Sequence, residues 1–73
     1  MIEEINKLAN ALGYLSIPSK NVYMLSFRRE EDGDKRINIY FTKMTVSVQS
    51  ETTVAQYFYN VSLNELEDIF SNN

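Results

Sequence analysis

The sequence predicts an α+β domain: an antiparallel meander of three to four strands with two terminal helices packed on one face. Three observations lead there. Residues 36–49, R-I-N-I-Y-F-T-K-M-T-V-S-V-Q, hold two alternating runs, Ile37, Ile39, Phe41 and then Met44, Val46, Val48, the period-two pattern of a sheet buried on one side. Residues 2–12 space their apolar side chains three and four apart, as one stripe of a helix requires. Val61-Ser62-Leu63-Asn64-Glu65-Leu66 is the signature of a second helix start. The expected order is α-β-β-β-β-α, with residues 1–73 forming a single small domain.

In the first helix, Ile2, Ile5, Leu8, Ala9 and Leu12 form the stripe, and Glu3 and Glu4 complement the positive end of the helix dipole. Gly13 suits a left-handed helix end, and Pro18 prevents continuation past Ile17. The linker 14–19 is expected to lay Tyr14, Leu15 and Ile17 over an open edge of the core. Across 21–29, Tyr23, Leu25 and Phe27 alternate with Val22, Met24, Ser26 and Arg28, and the acidic run 30–34 with its Gly33 signals a turn. A hairpin closing Arg29 on Lys35 sets Phe27 opposite Ile37, Leu25 opposite Ile39 and Tyr23 opposite Phe41. Inward residues then meet inward residues, a match that a one-residue slip destroys.

Inward parity changes across Thr42-Lys43. A two-residue hairpin there pairs Phe41 with Met44, Ile39 with Val46 and Ile37 with Val48; it is favoured over a bulge in one long strand, although Thr-Lys is poor chemistry for a primed turn. Residues 52–60 read as a further strand, with Val54, Gln56 and Phe58 on one side and Ala55, Tyr57 and Tyr59 on the other. The last helix is expected from 63 to about 70, with Ser62 and Glu65 as a capping box, Val61 and Leu66 as a hydrophobic staple, and Leu63, Leu66, Ile69 and Phe70 as the apolar stripe. Ser71, Asn72 and Asn73 should fray.

Composition narrows the function classes. No Cys is present, so disulfides and thiolate zinc sites are excluded, and at this size a homo-oligomer is expected to extend the core. Acids stand near the N-terminus where a secretory signal would be basic, and no apolar run approaches the roughly 18 residues of a membrane span. A cytoplasmic protein without membrane attachment is the expectation. The net charge of −3 argues against bulk nucleic-acid binding. Abundant Ile, Asn, Lys, Tyr and Ser suggest an A/T-rich genome, bacterial or that of a mobile element.

The absence of His and Cys removes His-based acid–base catalysis and Cys nucleophiles, and no phosphate-cradling Gly-rich loop exists. Asp32-Gly33-Asp34 has part of a calcium-loop pattern but lacks its closing Glu. No metal, no cofactor and no enzymatic activity are expected. Attention falls instead on the outward sheet face, where the register sets Arg28 opposite Arg36, Ser26 opposite Asn38 and Met24 opposite Tyr40. Like charges facing across strands are unfavourable unless something negative lies between them. Glu30 or Asp34 folds over the pair, the two guanidinium groups diverge into water, or they receive an anion. Met24, Arg28, Arg36, Asn38, Tyr40, Thr42, Lys43, Thr45 and Gln49, with Ser47 among them, form the candidate binding face. The leading expectation is a non-enzymatic accessory module that binds a protein partner; the alternative is a nucleic-acid or anion-binding module using Arg28, Arg36 and Lys43 with Tyr40 stacking.

Arg36, Asn38, Tyr40, Thr42 and Thr45-Val46, followed by Gln56, Phe58, Asn60-Val61-Ser62-Leu63, Glu65-Leu66 and Ile69-Phe70, resemble a small uncharacterised family of bacteria and plants. Its pattern is an Arg- and Tyr-rich strand, a Thr-Gly-Thr-Val turn, a Gln-Leu-Phe strand and a Leu-x-x-Ile-Phe helix. The likeness covers roughly the second half of the chain. Met44 stands where that family has glycine, and its His-Pro loop is missing. The resemblance implies the fold and no activity.

Overall fold

The computed structural model describes residues 1–72. Helix α1 (Ile2–Ala11) is followed by β1 (Leu15–Ile17), β2 (Met24–Arg28), a 3-10 turn (Glu30–Asp32), β3 (Arg36–Tyr40), β4 (Thr45–Gln49), β5 (Gln56–Phe58) and helix α2 (Leu63–Asn72). The strands form one antiparallel sheet in chain order, β1 to β5. The meander is thus one strand longer than the sequence pattern predicts. The additional strand is β1, in the segment expected to be a linker; a strand of three residues is too short to show an alternation.

Helix α1 ends in a Schellman motif. Gly13 sits at φ 87° and donates its N–H to Asn10 O (3.1 Å), while Tyr14 donates to Ala9 O (2.9 Å). That reversal needs a residue at positive φ, and it turns the Tyr14 ring into the core rather than over its edge, leaving it 2 % exposed.

The central register is the one the alternation dictates: Phe27 pairs with Ile37 and Leu25 with Ile39, then Ile39 with Val46 and Ile37 with Val48. Phe41 still donates its N–H to Tyr23 O (3.2 Å), but the Tyr23 side chain is exposed, not inward, because β2 begins only at Met24. Between β3 and β4 the last pair is Tyr40 with Thr45, so the hairpin encloses a four-residue loop, 41–44, in place of the expected two-residue turn with Phe41 paired to Met44. Lys43 donates to Tyr40 O (3.3 Å), and Met44 takes φ 51°. The positive φ therefore falls on Met44 and not on Thr42-Lys43, which removes the objection to a hairpin here.

Strand β5 is shorter than the expected 52–60. Ser50 Oγ lies 2.7 Å from Thr53 Oγ1 and 3.4 Å from Thr52 Oγ1, holding the chain in a bend, and only Gln56–Phe58 reaches β4. Helix α2 carries the expected capping box: Glu65 N–H donates to Ser62 Oγ and Ser62 N–H donates to Glu65 Oε1, both at 3.1 Å. It continues to Asn72, further than the expected end near 70; Asn73 lies outside the described residues. Ser62→Ala should lower stability by about 1 kcal/mol, and hence the melting temperature by roughly 4–8 °C, in calorimetry.

Both helices pack on one face of the sheet. Ile5 and Ala9 of α1 join Leu66, Ile69 and Phe70 of α2, Tyr14 and Val61, and Phe27, Ile37, Ile39, Val46 and Val48 of the sheet in one core. Its centre is aromatic: Phe70 lies 4.8 Å from Tyr14 and meets Phe27 edge-on at 5.8 Å, centroid to centroid.

Candidate functional site

The opposite sheet face carries no helix, and its side chains form rows across the strands. The middle row runs Ile17, Ser26, Asn38, Ser47, Tyr57, one residue from each of the five strands. Ser26 Oγ donates to Asn38 Oδ1 (2.7 Å), and Asn38 Nδ2 donates to Ser47 Oγ (3.2 Å). These three are buried, at 3 %, 4 % and 3 % exposure, although they lie on the uncovered side. Their burial comes from larger neighbours two positions away along each strand, Met24 and Arg28, Tyr40 and Arg36, Thr45 and Gln49. Buried hydroxyl and amide groups are tolerated because they bond one another. They also restrict the register, since a slip of two residues would keep the apolar faces inward but set Ser26 against Tyr40 or Arg36.

Above this polar floor is a trough of about 250 Å³. Met24 and Tyr40 stand at one end, Arg36 and Gln49 at the other, Tyr57 on the β5 side, and Pro18, Ser19 and Lys20 on the β1 side. The β1–β2 connection is shaped by Ser19, whose hydroxyl is within hydrogen-bond distance of Asn21 O (2.9 Å) and Met24 O (2.8 Å), and by Tyr23 N–H donating to Asn21 Oδ1 (2.8 Å). Lys20 and Tyr57 line the trough but do not belong to the face expected from sequence. Lys20 is brought in by loop geometry, which no periodicity reveals. The sequence groups Tyr57 with Ala55 and Tyr59 on one side of its strand but does not say which side faces outward; the pairing of Ser47 with Tyr57 settles it.

The expected binding residues divide. Met24, Arg36, Asn38, Tyr40 and Gln49 meet at the trough, with Asn38 as floor and not as a free hydrogen-bonding group. Thr42, Lys43 and Thr45 instead line a separate hollow with Asn21, Tyr23 and Tyr40 at the hairpin end. Arg28 is exposed beside the trough, one step beyond the Phe27–Ile37 pair and so next to Arg36. Asp34 and Glu51 line a hollow together with Arg36. Among the described residues neither arginine has an ion pair; Asp34 accepts from Glu51 N–H (2.7 Å), and the Asp32 carboxylate accepts from Arg29 Nε (2.8 Å). Arg29 is held elsewhere, its guanidinium carbon 4.4 Å from the centre of the Tyr14 ring. Among the described residues no group of three or more acidic side chains is placed to hold a metal. No helix among them is long and apolar enough to cross a membrane. Comparison with family models, curated proteins and solved structures gives no match to this chain.

Proposed function

We propose that this protein is a non-enzymatic binding module, and that the trough takes up an extended segment of a partner protein. The observation that carries this reading is a floor already closed by its own hydrogen bonds beneath walls of tyrosine, methionine and two cations, Lys20 and Arg36, that form no ion pair among the described residues. A closed polar floor offers shape but little chemistry. Tyr40, Tyr57 and Met24 offer adaptable apolar contact, the chemistry of protein interfaces. Lys20 and Arg36 add a charge preference, so the segment should carry an acidic side chain beside an aliphatic one.

The test is an NMR titration with extended hexapeptides holding one Glu between Leu or Ile residues, against Gln counterparts. The Glu peptides should shift the amides of Arg36, Asn38, Tyr40, Ser47 and Tyr57. Arg36→Glu and Tyr40→Ala should each weaken binding about tenfold or more, with melting little changed. A peptide set that shifts nothing, or only amides elsewhere, would dispose of the reading.

A second reading rests on the adjacency of Arg28 and Arg36, neither of which forms an ion pair among the described residues: an anion-binding face for single-stranded nucleic acid, with Tyr40 stacking and Lys43 at the far end of the hairpin. Its mark is salt. Affinity for an oligonucleotide should fall with a log–log slope of about −0.7 per phosphate neutralised, and the Arg28→Ala/Arg36→Ala double variant should flatten that slope. If the parent binds no oligonucleotide, or the double variant binds as the parent does, this reading is removed.

A further inference from the structure

The two edges of the sheet differ. Strand β1 is followed at once by Pro18, which has no N–H to offer a neighbouring strand, and then by Lys20; Arg28 lies beside Leu15 in the register. Proline and charge are the usual means of protecting an edge. Strand β5 has neither. From Thr52 to Asn64 there is no charged residue and no proline, and Gln56, Tyr57 and Phe58 are all exposed along the free edge. Tyr57 and Tyr59 stack at 6.5 Å, 16° from parallel, forming an aromatic pair beside it.

We infer that the β5 edge is the site of a two-fold dimer, in which β5 of a second copy pairs antiparallel with it and the two sheets become one of ten strands. The occupant is a second copy for two reasons. An antiparallel strand pair about a two-fold axis is self-complementary, and an uncharged strand meets itself with no like charges in register. The exposed area also suffices: Val54, Tyr57, Phe58 and Tyr59 together present on the order of 450 Å² per copy, taking aromatic side chains at about 200 Å² each. Complete burial of these side chains in both copies would remove about 900 Å² from water before backbone and flanking residues are included, close to the roughly 1,000 Å² of a specific interface. Only one register pairs all three residues of both strands, with Tyr57 on the axis facing its own copy and Gln56 facing Phe58 of the second copy. Both Tyr57 side chains then lie on the trough side, so the two troughs share one surface.

Because the chain has no cysteine, single introduced thiols report this geometry cleanly. Sedimentation of the full chain should show a monomer–dimer equilibrium in the micromolar range. In a glutathione redox buffer, Tyr57→Cys should form a disulfide-linked dimer, while Val22→Cys, 84 % exposed on the β1–β2 connection, should remain monomeric at the same concentration. Phe58→Lys should sediment as a monomer with its circular dichroism preserved, and Arg36→Glu, a change in the trough, should leave the dimer intact. A parent that stays monomeric at high concentration, equal crosslinking of the two cysteine variants, or a Phe58→Lys variant that folds and still dimerises would overturn the inference. None of these outcomes depends on peptide binding in the trough.

Discussion

Phe70→Ala is expected to leave the chain largely unfolded at 37 °C. Phe70 is fully buried, and it is the ring through which α2 meets both Tyr14 and Phe27. Truncating such a residue costs about 3–5 kcal/mol, from lost transfer energy and from the cavity left behind. A single core in a chain of this size supplies about as much stability in total. Near-ultraviolet circular dichroism and urea titration decide the matter, and a cooperative transition close to that of the parent would refute the central place given to this ring. Phe70→Leu keeps much of the volume and should fold with reduced stability.

Tyr14 gives the second large effect, and it separates into two parts. Its hydroxyl donates to Phe70 O at 3.0 Å, 56 residues along the chain, while its ring packs on Phe70 and carries Arg29 on its other contact. Tyr14→Phe should cost about 1 kcal/mol through the lost hydrogen bond. Tyr14→Ala should cost about 3–5 kcal/mol and approach the Phe70→Ala phenotype. The two sites share one contact, so a double variant should be less destabilised than the singles together imply. Burial raises the Tyr14 pKa above the usual 10.0, with the Arg29 charge opposing the rise. The folded state therefore holds this proton more tightly than the unfolded state. Its contribution is intact below pH 10 and is lost as pH rises through the folded value. Urea midpoints measured between pH 8 and 11 should fall more steeply above pH 10 for the parent than for Tyr14→Phe.

What the sequence discloses follows from how local each signal is. The alternation in β2, β3 and β4 is long enough to set their pairing, because one face must be buried and parity leaves few registers. The capping box of α2 is complete within four residues. From the sequence alone Tyr14 reads as an edge cover, because nothing near it says that a Schellman reversal will turn it inward or that α2 will be waiting. Strand β1 fails to register for a similar reason, since three residues have no period. At the candidate site, Arg36, Tyr40 and Gln49 could be assigned to a face by parity. That Asn38 would be buried on that face depends on the size of its neighbours across three strands, and that Lys20 would form a wall depends on the path of a loop.

The Ser26–Asn38–Ser47 row has a consequence for how this protein can change over time. Because strand positions alternate strictly, most residues that hold the fold and most residues that line the uncovered face are different residues. Arg36, Tyr40, Gln49 or Tyr57 can drift while Ile37, Ile39, Val46 and Val48 stay fixed. The polar row is the exception, lying on the uncovered side yet buried like core. A substitution at Asn38 is felt by the register and by the trough together, so the floor constrains how far the walls above it can diverge.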